Sequence, residues 1–169
     1  RSSDLDSRRT SMLTVGGPRG GVAVAAVAAF AVGGAWVALR PDPTWAGPEA
    51  PIASAFPKLV GPGDGGNGAW GTTCRASEPE GSQRAKVSCT GPDVAYAVAD
   101  YGSAEQRAAA VPTDGFAEFR SNQCAFTSGQ LPGASADAFA VVMPQPLDRY
   151  AILIAGPKAE QYRLSLPVC

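Results

Sequence analysis

The sequence predicts an α+β protein: one transmembrane helix, then a small disulfide-stapled, mostly antiparallel sheet domain with one or two helices. Three observations predict it. An uncharged run, residues 20–39, is bracketed by Arg19 and Arg40. All four cysteines, Cys74, Cys89, Cys124 and Cys169, follow that run. The second half holds several short stretches in which apolar and polar residues alternate, the period of a strand with one buried face.

The run from Gly20 to Leu39 contains no charged side chain and is rich in Ala and Val. A helix of that length reaches about 30 Å, the hydrocarbon thickness of a bilayer. A spanning segment must satisfy its own backbone groups, so it must be helical. Trp36 and Trp45 follow near the outer interface, as an aromatic belt requires. Arg1, Arg8, Arg9 and Arg19 lie upstream, whereas downstream Arg40 is soon offset by Asp42 and Glu49. The excess of arginine puts the N-terminus in the cytoplasm and the cysteines outside. Disulfides persist there, so two independent signals agree. Two other export readings exist. A cleaved signal peptide needs small residues just after the run, but Ala53-Ser54-Ala55 comes too late. Ser7-Arg8-Arg9-Thr10 starts like a twin-arginine signal, with Ser11 where a bulky apolar residue belongs.

Gly21, Ala25, Ala29 and Gly33 recur every fourth residue. On a helix they form one small-residue stripe through which two copies could pack as a homodimer. Residues 1–19 read as a cytoplasmic juxtamembrane tail and residues 20–39 as the transmembrane helix. Residues 40–55, with Pro41, Pro43, Pro48 and Pro51, read as an extended Pro-rich linker. Residues 56–169 read as the extracytoplasmic α+β domain. The chain opens on Arg1, which suggests a fragment or a processed product.

Within the domain, Phe56 to Val60 is a short apolar start, and Gly61 to Gly68 reads as a flexible loop. Residues 84–89 alternate polar and apolar, and Val94, Tyr96 and Val98 alternate with small residues up to Tyr101. With Gly91-Pro92-Asp93 between them, the two stretches predict a hairpin. Ser103 suits a helix N-cap with Gln106 in the capping-box position, and Pro112 ends that helix after about Val111. Phe116 to Arg120 fits helix or strand. Phe139 to Met143 and Tyr150 to Ala155 predict two further strands, Lys158 to Gln161 one helical turn, and Leu164 to Val168 a last strand. Four cysteines allow three pairings. We favour Cys74–Cys89, across a short loop, and Cys124–Cys169, which ties down the terminus.

The residue inventory excludes several chemistries. There is no His, which removes the commonest metal ligand and the commonest general base near neutral pH. No CxxC pair occurs, and the cysteine spacing fits no common zinc module. No GxxxxGK[ST] cradles a phosphate. Carboxylates such as Glu78, Glu80, Asp93, Asp100, Glu105, Asp114 and Glu118 read as solvated surface charge. From Arg40 onward there are ten Lys/Arg against thirteen Asp/Glu, which gives no basic surface for nucleic acid. We therefore expect no catalytic, cofactor-binding or metal residues and no cofactor. Trp70 sits in Gly-rich sequence and reads as core rather than exposed platform.

The order of these parts is familiar: a basic tail, one Ala/Val helix and a Pro-rich spacer, then Trp70-x3-Cys74, Val87-Ser88-Cys89 and Val94-x-Tyr96-x4-Tyr101-x-Ser103. It resembles the small extracytoplasmic domains of actinobacterial single-pass membrane proteins. Some of these lie C-terminal to the membrane helix of Ser/Thr protein kinases, and others stand alone. The resemblance covers about residues 1–110 and marks fold and topology, so it assigns no functional residue. It implies a plasma-membrane protein engaged in signal reception or envelope interaction. The expected partners are the bilayer, through the apolar helix, and an extracytoplasmic ligand or protein. A stand-alone accessory envelope protein is the alternative, and an extracytoplasmic hydrolase the third reading.

Overall fold

A single antiparallel sheet organises the described part of the chain. The structure is a computed structural model, and it describes residues 44–120 and 125–168. The strands are β1 (Thr73–Ser77), β2 (Ala85–Thr90), β3 (Ala95–Asp100), β4 (Ala117–Arg120), β5 (Ala125–Gln130), β6 (Ala138–Val142) and β7 (Tyr150–Ala155). Four short α-helices accompany them: α1 (Ala50–Ala55), α2 (Pro57–Val60), α3 (Ala104–Ala110) and α4 (Ala159–Arg163). The seven strands lie in the order β1-β2-β3-β7-β6-β5-β4. The chain runs as a meander to β3, crosses through α3 to the far edge at β4, and returns strand by strand to pair β7 with β3.

The period-two alternation sets which residues face which side. One face carries the row Cys74, Cys89, Tyr96, Ile154 and Phe139 across five strands. Beside it runs Val87, Val98, Ile152 and Val141. These side chains form the main core with Ile52, Phe56, Leu59 and Val60, all essentially sealed from water. Each large apolar side chain so buried contributes about 1.5–3 kcal/mol of transfer free energy. The opposite face is built of small residues. Ala99, Ala140, Val142 and Ala151 are covered by Tyr101, Val111 and Phe116. Ala95, Ala97, Leu153 and Ala155 on the same face remain partly open to solvent.

The N-terminal part of this unit corrects two sequence expectations. Residues 47–55 are not an extended linker, and the folded domain does not start at Phe56. Gly47–Glu49 form a 3-10 turn and α1 follows at once. Ile52 is fully buried, Trp45 is buried to 9% exposure, and the Trp45 indole donates to the Gly61 carbonyl at 3.0 Å. Two of the prolines that suggested an extended chain sit at helix starts: Pro48 enters the 3-10 turn and Pro51 enters α1. A first-turn N–H has no intrahelical partner, so its absence costs nothing there. Residues 164–168 are a third correction. They form no strand; Leu166 and Val168 pack against the core after α4.

Elsewhere the local signals match the fold. The β2–β3 hairpin is present, as are β6, β7 and the turn of helix after Lys158. Ser103 caps α3, its hydroxyl accepting from the Gln106 N–H at 3.2 Å. Phe116 to Arg120 resolves into β4, the edge strand. The expected tail, the transmembrane helix at 20–39 and the stripe of Gly21, Ala25, Ala29 and Gly33 lie outside the described residues. Among the described residues no helix is long and apolar enough to cross a membrane.

Candidate functional site

Cys74 and Cys89 face one another across β1 and β2, with Cα atoms 4.0 Å apart, and form a disulfide. Both are fully buried. Cys124 and Cys169 lie outside the described residues. Over the disulfide folds the glycine loop, which is not free. Gly65 N–H donates to the Cys74 carbonyl at 2.7 Å, and the Cys74 N–H donates to Gly66 at 2.9 Å. Asp64 accepts from the Ala76 N–H at 2.8 Å. The loop thus pairs with β1 and blunts that edge. Gly68 must be glycine: a Cβ there would stand 2.3 Å from Cys74 Sγ and 2.6 Å from Tyr96 Oη.

Tyr96 ties these pieces together. Its hydroxyl donates to the Leu59 carbonyl at 2.7 Å, accepts from the Ala69 N–H at 3.0 Å and lies 3.0 Å from Thr72 Oγ1. Burial pushes this phenol above its ordinary pKa, and the Thr72 and Ala69 bonds partly offset the shift. Trp70 is half-buried, stacked on Tyr162 at 4.6 Å and edge-on to Tyr96 at 5.5 Å. It belongs to this packing and offers no exposed platform. This end of the sheet is closely packed, and its polar groups are hydrogen-bonded to one another.

The opening is at the other end. A cleft of about 330 Å³ lies where the end of α3, the loop after it, β4, the start of β5 and the Met143–Asp148 turn converge. Small-molecule sites usually have volumes from about 300 Å³ upward. Its walls mix Phe119, Phe126, Val142 and Met143 with Arg107, Arg120, Glu118 and Asp148. Phe119 and Phe126 are register partners and stack at 5.3 Å. Arg120 reaches Glu118 at 3.4 Å on the exposed rim, a pair worth little in water.

Arg107 is the unusual member. It is the one cation of α3 and the one buried residue of that helix, only 9% exposed. Its Nε donates to the Asp148 carbonyl at 2.9 Å and its Nη1 to the Val111 carbonyl at 3.4 Å. Among the described residues no carboxylate forms an ion pair with it. A buried cation without an opposite charge is costly unless its donors are met. Two are met by the backbone, which anchors the side chain.

A second, shallower depression of about 250 Å³ lies on the open sheet face among Ala95, Ala97, Ala138, Leu153, Ala155 and Leu131. It is mostly apolar, with Ser88 and Thr90 on one side and no charged residue in its lining.

The carboxylates read from sequence as surface charge are dispersed. Asp93 pairs with Lys158 at 2.7 Å, and this hydrogen bond holds the Lys158 pKa above its usual value. Asp100 is the exception in burial: it accepts from the Gly102 N–H at 2.7 Å and pairs with Arg149 at 2.9 Å. Among the described residues no group of His, Cys, Asp or Glu is arranged to hold a metal. Sequence reasoning missed Arg107 and the cleft. The available signal was a single arginine inside an alanine-rich, capped helix. Comparison with protein-family models, with curated proteins and with solved structures found no match for the chain.

Proposed function

We propose that this protein is a membrane-anchored extracytoplasmic module that senses a ligand or binds a partner and performs no chemistry itself. On this reading residues 20–39 anchor it, with residues 1–19 in the cytoplasm. The resemblance to actinobacterial extracytoplasmic domains makes it the receptor part of a Ser/Thr protein kinase or an equivalent stand-alone module. The observation that carries the reading is the buried Cys74–Cys89 disulfide. Such a bond persists in an oxidising compartment and is rare in a reducing cytosol, and it follows an Arg-bracketed apolar run long enough to span a bilayer. The cleft beside Arg107 supports the binding half, because it combines apolar walls with a few fixed polar groups.

The accessory-protein reading draws on the Gly21, Ala25, Ala29 and Gly33 stripe, through which a membrane helix could pack on a partner.

The test is topological. The full chain is expressed with a C-terminal alkaline phosphatase, which is active only outside the cytoplasm, and cells are treated with an impermeant maleimide. We expect active phosphatase, membrane-bound protein, and Cys74 and Cys89 labelled only after reduction. Soluble protein with inactive phosphatase, whose two thiols react with maleimide in a denatured lysate without reductant, refutes the proposal.

A further inference from the structure

We propose that the cleft beside α3 binds a small organic monoanion, a carboxylate on a compact apolar body, through the Arg107 guanidinium. The inference rests on the binding half of the function proposed above and names its ligand class.

The charge comes first. Arg107 is nine-tenths buried, yet it takes part in none of the ion pairs among the described residues. Its Nε and Nη1 are committed to backbone carbonyls, and Nη2 donates to no described group. No buried side-chain nitrogen or oxygen among the described residues is left both sealed and unpaired. Nη2 therefore keeps solvent contact, and Arg107 lines the cleft. A guanidinium held rigidly by two of its donors presents the rest in a fixed plane, which matches a carboxylate better than a spherical ion. Arg120 does not share this role, because its side chain is 78% exposed on the rim and no buried contact fixes its plane.

The walls then set the body of the ligand. Phe119, Phe126, Val142 and Met143 supply an apolar enclosure, and a volume of about 330 Å³ admits one small molecule rather than a chain. The stacked Phe119–Phe126 pair offers an aromatic surface to a flat group. Asp148 sets a limit. It lines the same cleft and its carboxylate is in no ion pair among the described residues, so a ligand with several negative charges is repelled where a monoanion is tolerated.

The probes are benzoate, its uncharged analogue benzyl alcohol, and inorganic phosphate. Each is titrated against the full chain in a mild detergent, read by ligand-observed NMR and calorimetry. We expect benzoate to bind with Kd on the order of 0.1–1 mM, as befits so small a ligand. Benzyl alcohol and phosphate should each bind at least about tenfold more weakly, the loss of one charged contact or of the apolar body. Arg107→Lys keeps the charge and loses the planar fork, and should weaken benzoate about tenfold. If Arg107→Lys fails to fold, Thr113→Trp, which fills the cleft from the loop side, should abolish binding with unchanged circular dichroism. Asp148→Asn should tighten benzoate several-fold by removing the repelling carboxylate. Equal binding of benzoate and benzyl alcohol, no binding of benzoate up to about 10 mM, or binding indifferent to these substitutions overturns the proposal. None of these readouts depends on membrane topology. Failure of the sensor reading, a reduced cytosolic protein, would leave them intact.

Discussion

Tyr96→Phe removes one oxygen and tests how the disulfide end of the sheet is held. That oxygen donates to Leu59 O at 2.7 Å and accepts from Ala69 N–H at 3.0 Å, in a site where the residue is 3% exposed. Thr72 does not need it, because its hydroxyl already donates to the Ala69 carbonyl at 2.8 Å. The substitution thus orphans one acceptor and one donor. Each buried orphan costs about 1–3 kcal/mol, and the gain of an apolar ring edge recovers part of it, so the net loss should be about 2–4 kcal/mol. The assay is urea unfolding of the full chain in mild detergent, followed by near-ultraviolet circular dichroism. A pH series adds a second readout. The folded pKa of Tyr96 lies above the unfolded one because burial disfavours the phenolate. Its share of stability is therefore complete below the ordinary tyrosine pKa of about 10 and lost as pH rises through the folded value. The wild type should weaken on the alkaline side with a slope that Tyr96→Phe lacks. A variant within about 0.5 kcal/mol of wild type, or with the same alkaline slope, refutes the reasoning.

Ile52→Ala should lose about 2–5 kcal/mol in the same assay, the cost of emptying a sealed aliphatic site; a spacer residue would lose nothing measurable. Cys89→Ala opens a disulfide of sequence separation 15, for which the chain-entropy relation gives about 3 kcal/mol, and reductant under denaturing conditions should bring the wild type to the same midpoint. Gly68→Ala drives a Cβ to 2.3 Å from Cys74 Sγ and should cost about 1–3 kcal/mol, together with faster amide exchange across residues 64–68. If exchange there is already as fast as in an open loop, the pairing of that loop with β1 is wrong.

Hairpin β2–β3 was legible because every second residue is large and apolar: Val87 and Cys89 on one strand, Tyr96 and Val98 on the other. Strand β1 was not, because an edge strand that buries only Cys74 in Thr73–Ser77 has no periodic signature. Strand β5 hid behind Gly129, a residue that argues against a strand. The structure gives its reason, since a Cβ there would stand 2.2 Å from Phe116 Cδ1. The prolines of residues 47–55 misled in a different way. Proline marks extended chain and helix starts alike, and only the spacing of Ile52, Phe56 and Leu59 separates the two. The pairing of Cys74 with Cys89 was legible because its loop is short. The cleft was not, since it joins Arg107, Glu118, Phe126 and Asp148, residues brought together only by the crossover from β3 to β4.

These features divide the sheet into two regimes. At the β1 end the tyrosine hydroxyl, the disulfide and the glycine loop satisfy their neighbours, and the edge is closed. At the β4 end the edge strand is short, its residues are mostly exposed, and its neighbour on the cleft side is a buried arginine with donor capacity to spare. Local opening has the lowest free energy where few apolar contacts must be broken, and binding regions are drawn from that end of the stability range. Substitutions at Ile52 or Cys89 should accordingly lower global stability while leaving benzoate affinity near that of wild type. A change at Asp148, whose carboxylate makes no bond among the described residues, should shift affinity at near-constant midpoint. Ile52 packs through α1 on β2 and β3, Cys89 lies on β2, and the cleft opens at the β4 edge; well-separated sites add nearly independently. Loss of benzoate binding in folded Ile52→Ala would show that the two ends are coupled, and that the division drawn from packing does not hold.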